Sequence, residues 1–140
     1  PRHCVVLFHS FGMSGQLIRA DRFEWALSLA CGTLRHLREH GIPTTFLADF
    51  NQWEPLPVTS RSSFGNLLVS LTRAQRRNDT EAHDLIPVME RIADDDSLII
   101  ISDMPTESWT DTLPKRPAIS VDIRQHNYGA RTLKVRSSTP

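Results

Sequence analysis

Three residue types able to do nucleophilic chemistry together occur along this chain in the order Ser10, Asp103, His126. A serine becomes a nucleophile when an imidazole takes its proton and a carboxylate orients that imidazole. Ser, Asp, His is also the chain order of the α/β-hydrolases. Ser10 sits in Phe8-His9-Ser10-Phe11-Gly12, a G-x-S-x-G elbow whose first glycine is missing. Phe8 crowds a strained turn that calls for a small residue. Only one strand pattern precedes it, and no HGGG-type oxyanion segment exists. Because triads are defined by geometry and not by order, a serine hydrolase is the lesser of two readings.

The other polar features carry less. His36 and His40 are four apart in a helical pattern, a spacing that suits a metal, but no third ligand lies near in sequence, so they read as exposed residues of a last turn. His3 and His83 read as surface residues, and His9 as a residue beside the turn. Asp94, Asp95 and Asp96 lack the Gly and Glu spacing of a calcium loop. Trp25, Trp53 and Trp109 are minor candidates for partner anchors, since most tryptophans of a domain this size are at least partly core. Arg73, Arg76 and Arg77 form a basic patch too short for nucleic acid.

The elements that must position these groups follow from periodicity. Residues 5–8 form a continuous apolar run, as in a strand buried on both faces. Asp21 is placed to cap a helix over about 22–40, with Phe23, Leu27, Ala30, Leu34 and Leu37 as its apolar stripe and Gly41 and Pro43 as its stop. Residues 44–48 (TTFLA) predict the second strand, and 49–53 a loop. Residues 54–58 carry two prolines and fit only an edge strand or an extended loop. Ser60, Ser62 or Ser63 can cap a second helix with Phe64, Leu67, Leu68 and Leu71 inward. A third helix is expected over 81–93, with a shifted start or a kink at Pro87. Residues 97–102 (SLIIIS) are the strongest strand signal and 118–123 another. A short helix is expected near Thr106 to Trp109, and a weak edge strand over 132–135.

This alternation predicts one α/β domain with a mostly parallel, doubly wound sheet and helices on both faces. In such sheets ligands bind beyond the carboxyl ends of the strands, where strand order reverses. The two most buried-looking strands end in His9-Ser10 and Ser102-Asp103, so those residues share one rim if the strands are neighbours.

The strand-turn VVLFHSFGMS, the helix FEWALSLACGTLRHLREHG, the strand TTFLADF, the helix SFGNLLVSLTRA and the strand LIIISDM together resemble the von Willebrand factor A-like domains. More closely, the chain resembles the bacterial family called domain of unknown function fifty-eight, which contains such a domain. In those domains a D-x-S-x-S turn, a later Thr and a late Asp bind a divalent metal. The resemblance puts Phe8, Ser10 and Gly12 at the turn positions, Asp103 at the late Asp, and Ser60, Ser62 or Ser63 where the Thr stands. Hard cations need several oxygen ligands with carboxylate charge. Ser10 and Asp103 alone make a poor site for Mg²⁺ or Mn²⁺, so no cofactor is expected. The resemblance implies a non-catalytic protein-interaction module of a bacterial protein, with a MoxR-type AAA+ ATPase as partner. Its binding rim would be His9, Ser10, Gly12, Ser63, Asp103 and Trp109.

Composition agrees with a single domain. The chain has 140 residues, 16 basic and 16 acidic side chains and a formal net charge of zero, which gives nucleic acid no electrostatic hold. No apolar run approaches the roughly 20 residues of a membrane span. No signal-peptide pattern opens the chain. It begins at Pro1 with no Met, as a piece of a longer protein would, so a membrane tether outside it is compatible with the sequence. Cys4 and Cys31 lack metal-ligand spacing and read as reduced core thiols, which points to the cytoplasm.

Overall fold

The apolar run at the amino end becomes β1 (Cys4–His9), and all six of its residues are buried. A strand with both faces covered must lie inside a sheet, and β1 does. The computed structural model describes residues 3–10, 18–58, 60–75, 86–103, 118–123 and 136–137. The remaining elements are α1 (Ala20–Glu39), β2 (Thr44–Ala48), a 3-10 turn (Asp49–Asn51), β3 (Leu56–Val58), α2 (Arg61–Thr72), α3 (Ile86–Glu90), β4 (Ser97–Ser102), β5 (Ala118–Asp122) and β6 (Arg136–Ser137).

The sheet order is β3-β2-β1-β4-β5-β6. The four inner strands run parallel, and the two edge strands β3 and β6 run antiparallel to their neighbours. The chain therefore lays strands to one side of β1, then crosses to β4 on the other side. β1 and β4 are neighbours in register, with His9 opposite Ser102. The prolines of 54–58 are accommodated as expected, since β3 is a three-residue edge strand.

Side chains alternate across a strand, and two apolar clusters result. Cys4, Val6, Phe8, Phe46, Ala48 and Ile101 pack against Phe23, Ala26, Ala30 and Leu34 of α1 and Phe64, Leu67 and Leu71 of α2. Val5, Leu7, Leu47, Leu98 and Ile100 pack with Val88 and Met89 of α3 on the opposite face.

The helix boundaries differ from expectation in one instructive way. Asp21 does not cap α1: the residue before the helix is Arg19, which makes no side-chain cap. Asp21 lies in the first turn, where its carboxylate accepts from Arg19 and from the Arg22 amide. The carboxyl end stops as expected, with Gly41 at φ 69° and its amide donating to the Arg38 carbonyl. Ser60 caps α2 in a reciprocal capping box with Ser63. The third helix is described over Ile86–Glu90 and ends before 93, while 81–85 lie outside the described residues. The short helix expected near Thr106 and the strand over 132–135 lie outside the described residues; the second edge strand is β6.

Both cysteines are free thiols, Cys4 buried and Cys31 half-buried. Burial, and secondarily the negative charge of Asp96, push the Cys4 thiol up to about 11 from an ordinary value of 9.0. Between these values the folded state keeps the proton while the unfolded chain releases it. Folding stability is therefore expected to fall as pH rises from about 9 to about 11. Urea denaturation at pH 8 and pH 10.5 measures this: the loss should be smaller in Cys4→Ala than in wild type. Equal losses would refute the assignment to Cys4.

Candidate functional site

Register brings four strand ends to one edge. Phe8 is opposite Ala48 on one side and Ile101 on the other, and Ser102 is opposite Asp122. The residues at or just past these ends are His9 and Ser10, Asp49, Ser102 and Asp103, and Asp122. All six are buried. A row of buried polar side chains has to be satisfied internally or by a ligand, so the partners of each decide what the edge can do.

Ser10 is held by Asp49. Its amide donates to Asp49 Oδ2 at 2.6 Å, and its hydroxyl donates to Oδ1 and Oδ2 at 2.9 and 3.0 Å. Asp49 is 1% exposed and stands at the first position of the 3-10 turn after β2. Charge-assisted bonds of this kind are about twice as strong as neutral ones, and a serine hydroxyl donating to a carboxylate is not being activated by an imidazole.

Asp103 is held by Arg22. The Arg22 guanidinium lies 3.3 Å from Asp103 Oδ1, with the two side chains 26% and 7% exposed. The Asp103 amide also donates to the His9 carbonyl, extending the ladder between β1 and β4 by one bond. Arg22 sits in the first turn of α1, where the helix dipole disfavours a cation. The buried carboxylate of Asp103 gives that cation a reason to be there.

His9 faces the other side of the sheet. Its ring stacks on Trp53, with centroids 6.4 Å apart and planes 13° from parallel, and its Nδ1 is 3.3 Å from Ser102 Oγ. Trp53 reaches that place through two consecutive left-handed residues, Gln52 at φ 53° and Trp53 at φ 57°. Bulky residues rarely adopt this conformation. The Trp53 amide bond to the Ala48 carbonyl and the Arg91 guanidinium on the Trp53 carbonyl hold the turn. Trp53 is buried at 6% exposure, which removes it as an exposed partner anchor.

Phe8 does not face the edge. Its ring meets Phe23 and Phe50 edge-on at 6.0 and 5.3 Å and Phe46 at 6.1 Å. The space beside it is an aromatic cluster.

Ser10 and Asp103, expected on one rim, do lie at the ends of adjacent strands. Ser63 does not join them. β3 pairs Val58 with Thr44, and Thr44 with Cys4, at the amino ends of the strands. The chain enters α2 there, roughly 20 Å from Ser10 at about 3.3 Å per residue. Ser60 and Ser63 are engaged in capping each other, so a metal-site hydroxyl from this segment is corrected to a helix cap. Gly12, Trp109 and His126 lie outside the described residues.

Two residues went unread in the sequence. Asp49 directly follows a predicted strand, the same rule that selects Ser10 and Asp103, but the composition of 49–53 reads as a loop. Arg22 gave a signal too, as a cation placed against a helix dipole. With both included, a divalent ion fits the donor set poorly. Both Asp49 oxygens receive Ser10 donors, and a guanidinium already supplies positive charge to Asp103. Among the described residues no group of three or more His, Cys, Asp or Glu is arranged to hold a metal.

The cross-strand row His9, Ser102, Asp122 offers no relay either. The serine lies between the imidazole and the carboxylate, whereas general-base catalysis needs the imidazole in the middle. Ser102 is also fully buried.

No helix among the described residues is long and apolar enough to cross a membrane. Comparison with protein-family models, with curated proteins and with solved structures finds no significant match to this chain.

Proposed function

We propose that this chain is a doubly wound, von Willebrand factor A-like interaction module of a bacterial protein, working in the cytoplasm through its carboxyl-end rim without catalysis. A MoxR-type AAA+ ATPase is the partner this reading implies, through the resemblance to the unknown-function family. The strand order supports this reading: β2 and β4 flank β1 on opposite sides, so the order reverses between β1 and β4, beside the rim.

The observation that carries the functional reading is the internal pairing of the rim. Ser10 is bound by Asp49 and Asp103 by Arg22, so the positions that would hold a metal or a nucleophile are engaged within the protein. Recognition then falls to the exposed side chains around them. Arg19 and Asp21 form an exposed ion pair there, 2.6 Å apart, on the turn that carries Arg22. Exposed charges of this kind steer and select partners more than they stabilise a fold.

The test is binding of the immobilised chain to a purified MoxR-type ATPase, measured by biolayer interferometry. Wild type should bind, and the paired reversal Arg19→Glu with Asp21→Lys should weaken binding at least about tenfold, the scale of a lost charge contact, with an unchanged melting temperature. Equal binding by both proteins, or none by wild type, rejects the reading. Covalent labelling of Ser10 by a fluorophosphonate probe would also overturn it, because only an activated serine reacts.

A further inference from the structure

At the far end of α1, away from the rim, two exposed histidines face one another. His36 and His40 are one turn apart, with ring centroids 4.1 Å apart and planes at 40°. His40 Nδ1 donates to the His36 carbonyl oxygen at 2.8 Å. A carbonyl can only accept, so in neutral His40 the proton sits on Nδ1 and the Nε2 lone pair is directed away from the backbone. An imidazole whose second nitrogen is anchored to a carbonyl is the arrangement that orients metal-ligating histidines.

We propose that His36 and His40 form a two-nitrogen site for a borderline divalent transition metal, with Cu²⁺ bound most tightly and Ni²⁺ and Zn²⁺ more weakly. Two histidines at i and i+4 place both rings on one helix face. With metal–nitrogen bonds of about 2.0–2.1 Å, a cis pair needs ring centres roughly 5 Å apart, which a small side-chain rotation supplies from 4.1 Å.

The surroundings suit a cation. The pair lies in the last turn and cap of α1, at the negative end of the helix dipole. Of the neighbouring charges, Arg38 is drawn aside over the Phe64 ring, 5.2 Å from its centroid. Arg35 and Glu39 flank the pair with opposite signs. Gly32, one turn before His36, would meet nothing within 4 Å even with a side chain added. His36 also lines an open groove of about 430 Å³ running back along α1 past Thr33 and Leu29 to Trp25. There is room for the water or exogenous ligands that would complete the coordination, because no third protein ligand joins the two among the described residues. The site takes imidazole-preferring ions in the usual order of affinity, in which Cu²⁺ exceeds Ni²⁺ and Zn²⁺.

The test is titration of the full chain with Cu²⁺, followed by calorimetry and by electron paramagnetic resonance. Wild type should bind one ion with hyperfine coupling from two imidazole nitrogens. His36→Gln and His40→Gln should each weaken binding by about 100-fold, as expected when the second, intramolecular contact of a chelate is lost. Both positions are exposed, so the circular dichroism spectrum should not change. His3→Gln should leave the site intact. Affinity should also fall on acidification, since a protonated imidazole cannot ligate. Equal Cu²⁺ affinity in the His36→Gln, His40→Gln double variant, or a spectrum with a single coupled nitrogen in wild type, overturns the proposal.

Discussion

Phe8→Asp is expected to unfold the domain and not to restore a metal site. Under the proposed resemblance the position would stand where a D-x-S-x-S turn has its first carboxylate, so the substitution is the obvious repair to try. The structure argues against repair. Phe8 is 1% exposed and its ring contacts Phe23, Phe46 and Phe50. Removing a buried phenylalanine costs about 3–5 kcal/mol, and a carboxylate left there without a partner adds a desolvation cost. A domain of this size is stable by about 5–15 kcal/mol in total, so the sum consumes most or all of it. Phe8→Leu, which keeps an apolar side chain, should lose only about 1–2 kcal/mol. Far-UV circular dichroism and urea denaturation of the two variants decide the matter. A folded Phe8→Asp protein whose melting temperature rises in millimolar Mg²⁺ would show that position 8 can serve as a metal ligand.

Among changes to the rim itself, Asp49→Ala should be the most damaging, at about 3 kcal/mol by urea denaturation. Asp49 accepts from Ser10 twice: the one hydroxyl proton is shared between its two carboxylate oxygens, and the amide donates to Oδ2. Its loss leaves a buried N–H and O–H together, and bonds to charged groups contribute about 1.5–3 kcal/mol each before that penalty. Ser10→Ala removes only the hydroxyl. The amide keeps its carboxylate acceptor, so that variant should lose only about 1.5 kcal/mol, the low end of a bond to a charged group. The ratio of the two effects is the informative quantity. If Asp49→Ala were as mild as Ser10→Ala, the carboxylate would not be holding the turn after β1, and the rim would have to be stabilised by other groups.

Much of the secondary structure was legible because it rests on local chemistry. The apolar stripe from Phe23 to Leu37 and the stop at Gly41 mark α1 to within two residues at its start. The solid runs at 5–8 and 97–102 mark two strands buried on both faces, and they prove to be neighbours. Proline spacing identifies β3 as an edge. Where local rules compete, reading fails by two positions. Asp21 satisfies the composition of a cap, yet Arg19 occupies that place and Asp21 accepts from Arg19 and the Arg22 amide within the first turn.

The site was legible only in part. A rule about strand ends finds Ser10 and Asp103, since both follow buried strands. The same rule applies to Asp49, but a turn-like composition after it hid its burial. Ser63 misled because serines that cap a helix and serines that bind a ligand look alike in sequence.

By itself, then, the sequence determined which segments are strands and helices, which faces they bury, and that neither a full metal-binding turn nor a full nucleophile elbow is written at residues 8–12. Those properties depend on residue type and spacing within a few residues. Only the tertiary structure decided which groups satisfy Ser10 and Asp103. Asp49 is 39 residues from Ser10 and Arg22 is 81 from Asp103. Such pairs are set by strand order and register, and a buried polar group takes whatever partner the packing brings within reach.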